Sequence, residues 1–532
     1  MNKRIRITRS LLALTLTVML AFAALPAAAE GDKVVNIAVT GTIDTLNPLL
    51  MGSTEVVKYA TSLVFLPLVE LNRDLEFVPQ LAESITTEDN RTFTIKLRED
   101  AAWSDGTPVT SRDVLFTYLC MTNPACANTG MSMYAVVGVG DDGLTAPDAT
   151  EIEGVKLLDD KTLTVTTKWD TALYTFENNF GRYILILPEH ILGGVPKDQL
   201  LSHPFFLKPD VISGPYFITD FDLNHYVRYT ANESYWLGAP KIKYLNINVV
   251  AASQLLAGLQ SGEIDLVQQT MGALPLEDYD ALRALPNVTT VMGTPITNQS
   301  IFINVENVPD VRIRQALLCG IDRETILTQL VHGNGELVDG FLCSASPYYS
   351  EELGVTAYDP AKAARLIAEA KADGADTHIT WHVNSGDTVF VQAVSFIAAL
   401  FQEIGLDIEI KTVDLATLMT VAESGEIDVM SVEYTYAPVD PYTDMNWLLS
   451  SIGWTRYQND AVTSALQESQ ALTDIEEIRA RYLMVNQAMQ QDVAMISAYV
   501  ISSMGAVNNR LQNAQPDIFG TFINVHEWDI AP

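Results

Sequence analysis

Ser261-Gly262-Glu263-Ile264-Asp265-Leu266-Val267 recurs 163 residues later as Ser424-Gly425-Glu426-Ile427-Asp428-Val429-Met430. Each copy follows an apolar helical segment, residues 253–260 and 415–423. A glycine directly after a helix takes the left-handed conformation without a Cβ clash, and the Ile-Asp-apolar run after it begins a strand. The spacing is too long for a solenoid, whose units repeat every 20–50 residues or so. Two similar α/β lobes account for it, against the plainer alternative of chance similarity between two short matches. In an open α/β sheet the ligand lies beyond the carboxyl ends of the strands. The residues just after each copy are therefore expected at a cleft between lobes: Gln268, Gln269 and Thr270 after the first, and Glu433, Tyr434, Tyr436, Asp440 and Trp447 after the second.

Strands and helices alternate through the rest of the chain. Residues 91–97 read as a half-buried strand with Phe93, Ile95 and Leu97 on one face, and residues 161–167 repeat the pattern. Residues 123–153, polar and glycine-rich, read as a peripheral excursion between them. Asp359-Pro360 starts a helix that Gly374 stops. Thr473-Asp474-Ile475-Glu476 reads as a capping box for a helix with Ile475, Ile478, Tyr482, Val485 and Met489 as its apolar stripe, the pattern of lobe core.

The N-terminus sets the compartment. Lys3, Arg4, Arg6 and Arg9 precede an apolar run over residues 11–25, and Ala27-Ala28-Ala29 follows as a small-residue cleavage signal. That order is a secretory signal peptide over residues 1–29, and the run is short for a membrane span of about 20 residues. No cysteine stands directly after it, so anchoring through an N-terminal lipidated cysteine is not expected. The chain of 532 residues exceeds what one core organises, and a hydrophobic share of 48% excludes a largely disordered chain. A formal net charge of −34 argues against nucleic acid or anionic lipid as partner. Of four cysteines, Cys120 and Cys126 bracket a short loop suited to a disulfide, and Cys319 and Cys343 offer a second pairing; the alternative is four free thiols. No metal ligand set and no cofactor is expected: His378 and His382, four apart, fall in a segment that reads as extended.

Blocks of sequence then carry a resemblance. Thr45-Leu46-Asn47-Pro48, Leu66-Pro67-Leu68-Val69, Val78-Pro79-Gln80-Leu81-Ala82-Glu83-Ser84, Trp103-Ser104-Asp105-Gly106-Thr107-Pro108-Val109, Gly214-Pro215-Tyr216, Asn232-Glu233-Ser234-Tyr235-Trp236 and Val311-Arg312-Ile313-Arg314-Gln315-Ala316-Leu317 run in order, with the two repeat copies among them. Together they resemble the large extracytoplasmic solute-binding proteins of the dipeptide, oligopeptide and nickel importer family. The resemblance implies an α/β, two-lobed periplasmic-binding-protein fold of type II, the large three-subdomain variant, with a hinge between lobes. It implies a first lobe built from residues 30–75, 206–297 and 502–532, an inserted subdomain over 76–205, and a second lobe over 298–501. It also implies a monomeric receptor, periplasmic or otherwise extracellular, that closes on a small ligand and delivers it to an ABC permease and ATPase.

The ligand is less determined. Peptide-binding members hold the ligand ammonium with an aspartate before an acidic-Pro pair; here the pair is Asp440-Pro441, and Ala437 falls at the aspartate position. Where dipeptide binders carry an arginine, this chain reads Trp381-His382-Val383-Asn384-Ser385-Gly386. Candidate ligand-binding residues are Asn47, Gln268, Gln269, Trp381, Asn384, Glu433, Tyr434, Tyr436, Asp440 and Trp447, with lobe packing as the plain alternative for the aromatics. An oligopeptide, an oligosaccharide or a similar small molecule fits such a set. Competing functions are a sensory binding module and an exported hydrolase. For the hydrolase the chain offers neither a Gly-x-Ser-x-Gly elbow nor a His-Glu-x-x-His motif.

Overall fold

The computed structural model describes residues 33–51, 55–127, 132–386, 388–435 and 438–531. The signal segment read over residues 1–29 lies outside them.

Both copies of the repeat do the same structural work. Helix Leu255–Ser261 ends at Gly262, with φ 80° and ψ 13°, and helix Leu415–Ser424 ends at Gly425, with φ 78° and ψ 13°. Strands Leu266–Val267 and Val429–Thr435 follow. The repeated aspartate then pins its strand to the parallel strand beside it. Asp265 Oδ2 accepts the backbone N–H of Asn36 at 2.9 Å, and Asp428 Oδ2 accepts that of Thr380 at 2.9 Å.

Two sheets are thereby built on one plan. The seven-stranded sheet runs Val288–Met292, Met504–Asn508, Leu266–Val267, Val34–Val39, Tyr244–Val249, Tyr226–Ala231, Tyr216–Asp222. Val34–Val39 lies parallel to both Tyr244–Val249 and Leu266–Val267. The six-stranded sheet runs Gly335–Glu336, Met495–Ile501, Thr297–Ile303, Val429–Thr435, His378–Asn384, Asp407–Val413. His378–Asn384 lies parallel to Asp407–Val413 and Val429–Thr435. In each, an antiparallel strand from the far side of the chain completes the parallel trio. The backbone passes between the sheets twice, through residues 293–296 and 502–503.

A smaller four-stranded sheet, Ala82–Thr87, Thr92–Leu97, Thr162–Thr166 and Val155–Leu157, is antiparallel throughout. Its apolar face carries Phe93, Ile95, Leu97, Leu163 and Val165, all fully buried. Phe93 stacks on Phe176 at 4.0 Å, and this face runs without a break into the core under the seven-stranded sheet. The inserted region thus shares its hydrophobic core with the first sheet.

Two local expectations are corrected. The helix read from a capping box at Thr473 is capped one residue later: Asp474 accepts the N–H groups of Glu476 and Glu477, and the helix runs Ile475–Asp492 with Ile475 exposed. An aspartate is the better cap because its carboxylate serves both free donors at once. Second, Cys120 and Cys126 are not bridged; both are buried thiols. The Cys126 thiol donates to the Cys120 carbonyl at 3.2 Å, Lys197 Nζ donates to Cys120 Sγ at 3.1 Å, and the two sulfurs meet as hydrogen-bonded thiols.

Candidate functional site

A cavity of about 920 Å³ lies between the two large sheets, its wall drawn from the first lobe, the inserted region and the second lobe. That volume is near the upper end of the usual range for small-molecule sites, about 300–1,000 Å³.

On the first-lobe side a charged network is sealed into the wall. Lys58 Nζ donates to Glu70 Oε2 at 2.8 Å, and Arg182 Nε donates to Glu70 Oε1 at 2.7 Å. Tyr183 Oη donates to Glu55 Oε1 at 2.7 Å, and Arg182 lies 3.9 Å from the same carboxylate. Burial alone would raise the Glu70 carboxyl, but Lys58 and Arg182 outweigh it and hold Glu70 below the ordinary range. The Arg182 guanidinium sits between the Tyr183 and Phe519 rings, 4.7 and 5.0 Å from their centroids. Arg182 therefore ties the inserted region to the C-terminal segment and holds two acids of the cavity wall.

The second-lobe side is different. Helix Pro441–Leu448 opens with Asp440, which is buried and accepts from Thr175 Oγ1 at 2.9 Å, Asn178 Nδ2 at 3.2 Å and its own Thr443 Oγ1 at 3.0 Å. One turn on, Asp444 accepts from Tyr434 Oη at 2.8 Å. Burial raises both carboxyls, Asp444 to about 7, with Asp440 adding repulsion to Asp444.

Thr175 and Asn178 belong to the inserted region, so Asp440 joins the two lobes directly. Asn179 Nδ2 donates to Thr443 Oγ1 at 3.0 Å, and Asn90 Nδ2 donates to the Gln470 carbonyl at 3.2 Å. Tyr174 packs into the second lobe's core, its ring 5.2 Å from Tyr348. The two sides of the cavity thus touch directly in this structure.

The sequence-derived candidates divide between the cavity wall and positions off it. Gln268, Glu433, Tyr434, Asp440 and Trp447 line the cavity. Gln268 spends its amide on its own surroundings: Oε1 accepts the N–H groups of Thr270 and Met271, and Nε2 donates to the Ile518 carbonyl at 2.8 Å. Trp447 and Tyr434 pack edge-on against Trp454.

Four candidates lie off the cavity, each for a local reason. Gln269, on the opposite face of the strand end, donates to the Val291 carbonyl at 3.4 Å. Trp381 is fully buried, stacks on Phe401 and donates from Nε1 to Ser431 Oγ at 2.8 Å; it is second-lobe core. Asn384 closes its own turn by accepting the Gly386 N–H at 3.1 Å. Asn47 caps the short helix Pro48–Leu50, and its Nδ2 donates to the carbonyls of Leu200 and Leu201. Tyr436 lies outside the described residues.

What sequence reading missed is mostly in the inserted region. Thr175, Asn178 and Arg182 recur at helical spacing along Leu173–Phe176 and the wider turn Glu177–Arg182. That pattern was a usable signal. Residues 123–153 were read as peripheral, yet Ser132, Tyr134 and Ala135 line the cavity. Among the described residues, no group of three or more His, Cys, Asp or Glu side chains is placed to hold a metal ion.

Two similar lobes, a double crossing and a cavity at their junction define a two-lobed binding protein. A family model for bacterial extracellular solute-binding proteins, family 5 Middle, matches residues 76–456, and the chain belongs to this family. Among curated relatives, the nickel-binding periplasmic protein of Escherichia coli (strain K12) is 24% identical over 417 residues, 75% of each chain. The oligopeptide-binding protein AppA of Bacillus subtilis (strain 168) is 22% identical over 486 residues, 87% of this chain and 86% of the relative. The solved structure of AppA from Bacillus subtilis in complex with a nonapeptide superposes with a TM-score of 0.76 at 21% identity, covering 94% of this chain and all of the other. NikZ from Campylobacter jejuni in complex with Ni(L-His) superposes with a TM-score of 0.75 at 21% identity, covering 93% of this chain and 99% of the other. The chain is a solute-binding receptor of the ABC importer class.

Proposed function

We propose that this receptor captures a peptide-like solute by closing its two lobes and presents the closed form to an ABC permease and ATPase. The observation that carries the reading is the cavity itself: both lobes supply its wall, and Asp440 is bonded across the junction to Thr175 and Asn178. A site completed only on closure couples occupancy to shape, which is what a membrane partner reads. Peptide-like cargo is favoured by the size of the cavity and by relatives named for oligopeptide binding. We further assign the chain to the space outside the cytoplasm, without an N-terminal lipid, as a monomer without enzymatic activity. Its first lobe comprises residues 30–75, 206–297 and 502–532, with the insertion over 76–205 and the second lobe over 298–501.

A thermal-shift screen tests this with short peptides, oligosaccharides, opines and metal chelates. A solute bound only by the folded state adds about 2.7 kcal/mol at a hundredfold excess over Kd. Peptides are expected to raise Tm. A rise with oligosaccharides or chelates alone would replace the cargo class, and turnover of a solute without any rise would replace the receptor reading.

A further inference from the structure

Cys120 and Cys126 form a reactive cluster that the binding cavity does not use. Helix Ser111–Thr122 carries Cys120 in its last turn, and a turn built on Asn123 folds the chain straight back. The Asn123 carbonyl accepts the N–H groups of Cys126 at 3.0 Å and Ala127 at 2.7 Å, and Asn123 Oδ1 accepts that of Ala125 at 3.0 Å. The turn is itself anchored. Asn123 Nδ2 donates to the Pro147 carbonyl at 2.8 Å, and the Thr145 N–H donates to the Thr122 carbonyl at 2.8 Å. The Cys126 thiol is thereby held against the end of the helix, 3.2 Å from the Cys120 carbonyl, with the two sulfurs in hydrogen-bond contact. Both side chains are buried, but Pro124 and Ala125 between them are exposed, so the pair lies one layer beneath a surface turn.

A cation sets the two sulfurs apart. Lys197, on the short helix Lys197–Leu200, donates from Nζ to Cys120 Sγ at 3.1 Å and lies 4.1 Å from the centre of the Phe116 ring. A hydrogen bond from Cys126, with the Lys197 charge added, outweighs burial and holds the Cys120 thiol below its ordinary range. The same hydrogen bond and burial push the Cys126 thiol up. An ammonium beside one sulfur and a proton kept on the other is the arrangement of an attacking and a resolving cysteine. Cys319 and Cys343 lie in two different cores of the second lobe and serve as internal controls.

We propose that Cys120 and Cys126 are a reversible redox couple, with Cys120 attacking and Cys126 resolving, that closes and opens with the thiol–disulfide balance around the protein. The inference is independent of the cargo. The oxidant is a low-molecular-weight disulfide, RS–SR. The Cys120 thiolate attacks one of its sulfurs and forms a mixed disulfide; the RS⁻ released takes the proton that Cys120 gave up. Cys126 then attacks the Cys120 sulfur and displaces the second RS⁻, which takes the Cys126 proton. Two cysteine thiols and RS–SR become one Cys120–Cys126 bond and two RSH. The closed bond clamps the helix end to the chain that runs on to Ser132, Tyr134 and Ala135 on the cavity wall.

The native full chain is held in glutathione buffers from oxidised to reduced, quenched in acid, alkylated under denaturant and mapped by peptide mass. Thiols are expected to fall from four to two in oxidised glutathione, the lost pair being Cys120 and Cys126, and to return in reduced glutathione without denaturant. Cys126→Ser is expected to trap one glutathione on Cys120, while Cys120→Ser leaves Cys126 unmodified. Lys197→Met, which keeps an apolar stem on Phe116, should slow closure about tenfold as the thiolate fraction falls. Four thiols retained in oxidised glutathione overturn the proposal. So does a bond present from the start that reduced glutathione does not open, since that is a fixed crosslink. Glutathione trapped on Cys126, or closure at an unchanged rate in Lys197→Met, overturns the assignment of Cys120 as the attacking thiol.

Discussion

At the scale of single residues, Asp444 makes the most distinctive commitment. Burial raises its carboxyl from the ordinary 3.8 to about 7, with Asp440 contributing. A carboxyl raised by folding binds its proton more tightly in the folded state. Between about pH 4 and 7 the folded protein therefore holds more protons than the unfolded chain, and stability rises as pH falls. Asp440 and Glu177, also raised by burial, act in the same direction, while Glu70 and Asp339, held low by their cation partners, lose stability only at more acid pH. The unliganded protein is expected to melt higher at pH 5.5 than at pH 7.5, and Asp444→Asn should shrink that difference; an unchanged difference by scanning calorimetry would remove Asp444 from the account. Trp381 is the contrasting case. Its alanine variant should lose about 3–5 kcal/mol in urea unfolding, the usual cost of emptying a large core aromatic, and keep its ligand affinity at a concentration where it is folded.

At the scale of elements, the two glycine caps carry the repeat. At Gly262 an added Cβ would meet only Asn508 Nδ2, at 3.7 Å, so Gly262→Ala isolates the backbone cost. A left-handed alanine costs about 1–2 kcal/mol, and the urea midpoint should fall by that loss divided by the slope, with the slope itself unchanged. Both caps were legible because glycine after a helix has one dominant use. So were the strands at residues 92–97 and 162–166, whose alternation matches one buried face. The site was legible only in part. The rule that strand ends face the cleft located Glu433, Tyr434 and Asp440, but it says nothing about which of two adjacent side chains turns inward, and Gln269 turned away. Trp381 was misplaced because a large aromatic serves a core and a cleft equally well. The inserted region's share of the wall depends on docking between segments hundreds of residues apart: Thr175 meets Asp440, and Asn90 meets Gln470. No local periodicity encodes such a meeting.

At the scale of the whole molecule, closure depends on contacts beyond the charged wall. Tyr174 packs into the second lobe's core, and Gln470 Oε1 accepts the N–H of Ala172 at 3.2 Å. Removing the tyrosine ring should shift the unliganded population toward an open form. By X-ray scattering, Tyr174→Ala is expected to show a larger radius of gyration than the native chain without ligand and a similar one with saturating ligand. Identical unliganded radii would show that this contact does not govern closure.

The double crossing also orders events in time. Strand Met504–Asn508 sits inside the seven-stranded sheet, hydrogen-bonded to Val288–Met292 on one side and Leu266–Val267 on the other. During synthesis every strand of the second lobe emerges before it. At about 5–20 residues per second, the ribosome needs on the order of ten seconds or more to travel from residue 292 to residue 508. Throughout that interval strand Val288–Met292 lacks the neighbour that joins it to the rest of the first sheet, and the first lobe cannot finish folding. The late return of one short strand is a built-in delay: it holds the largest sheet unfinished until residue 508 has been made.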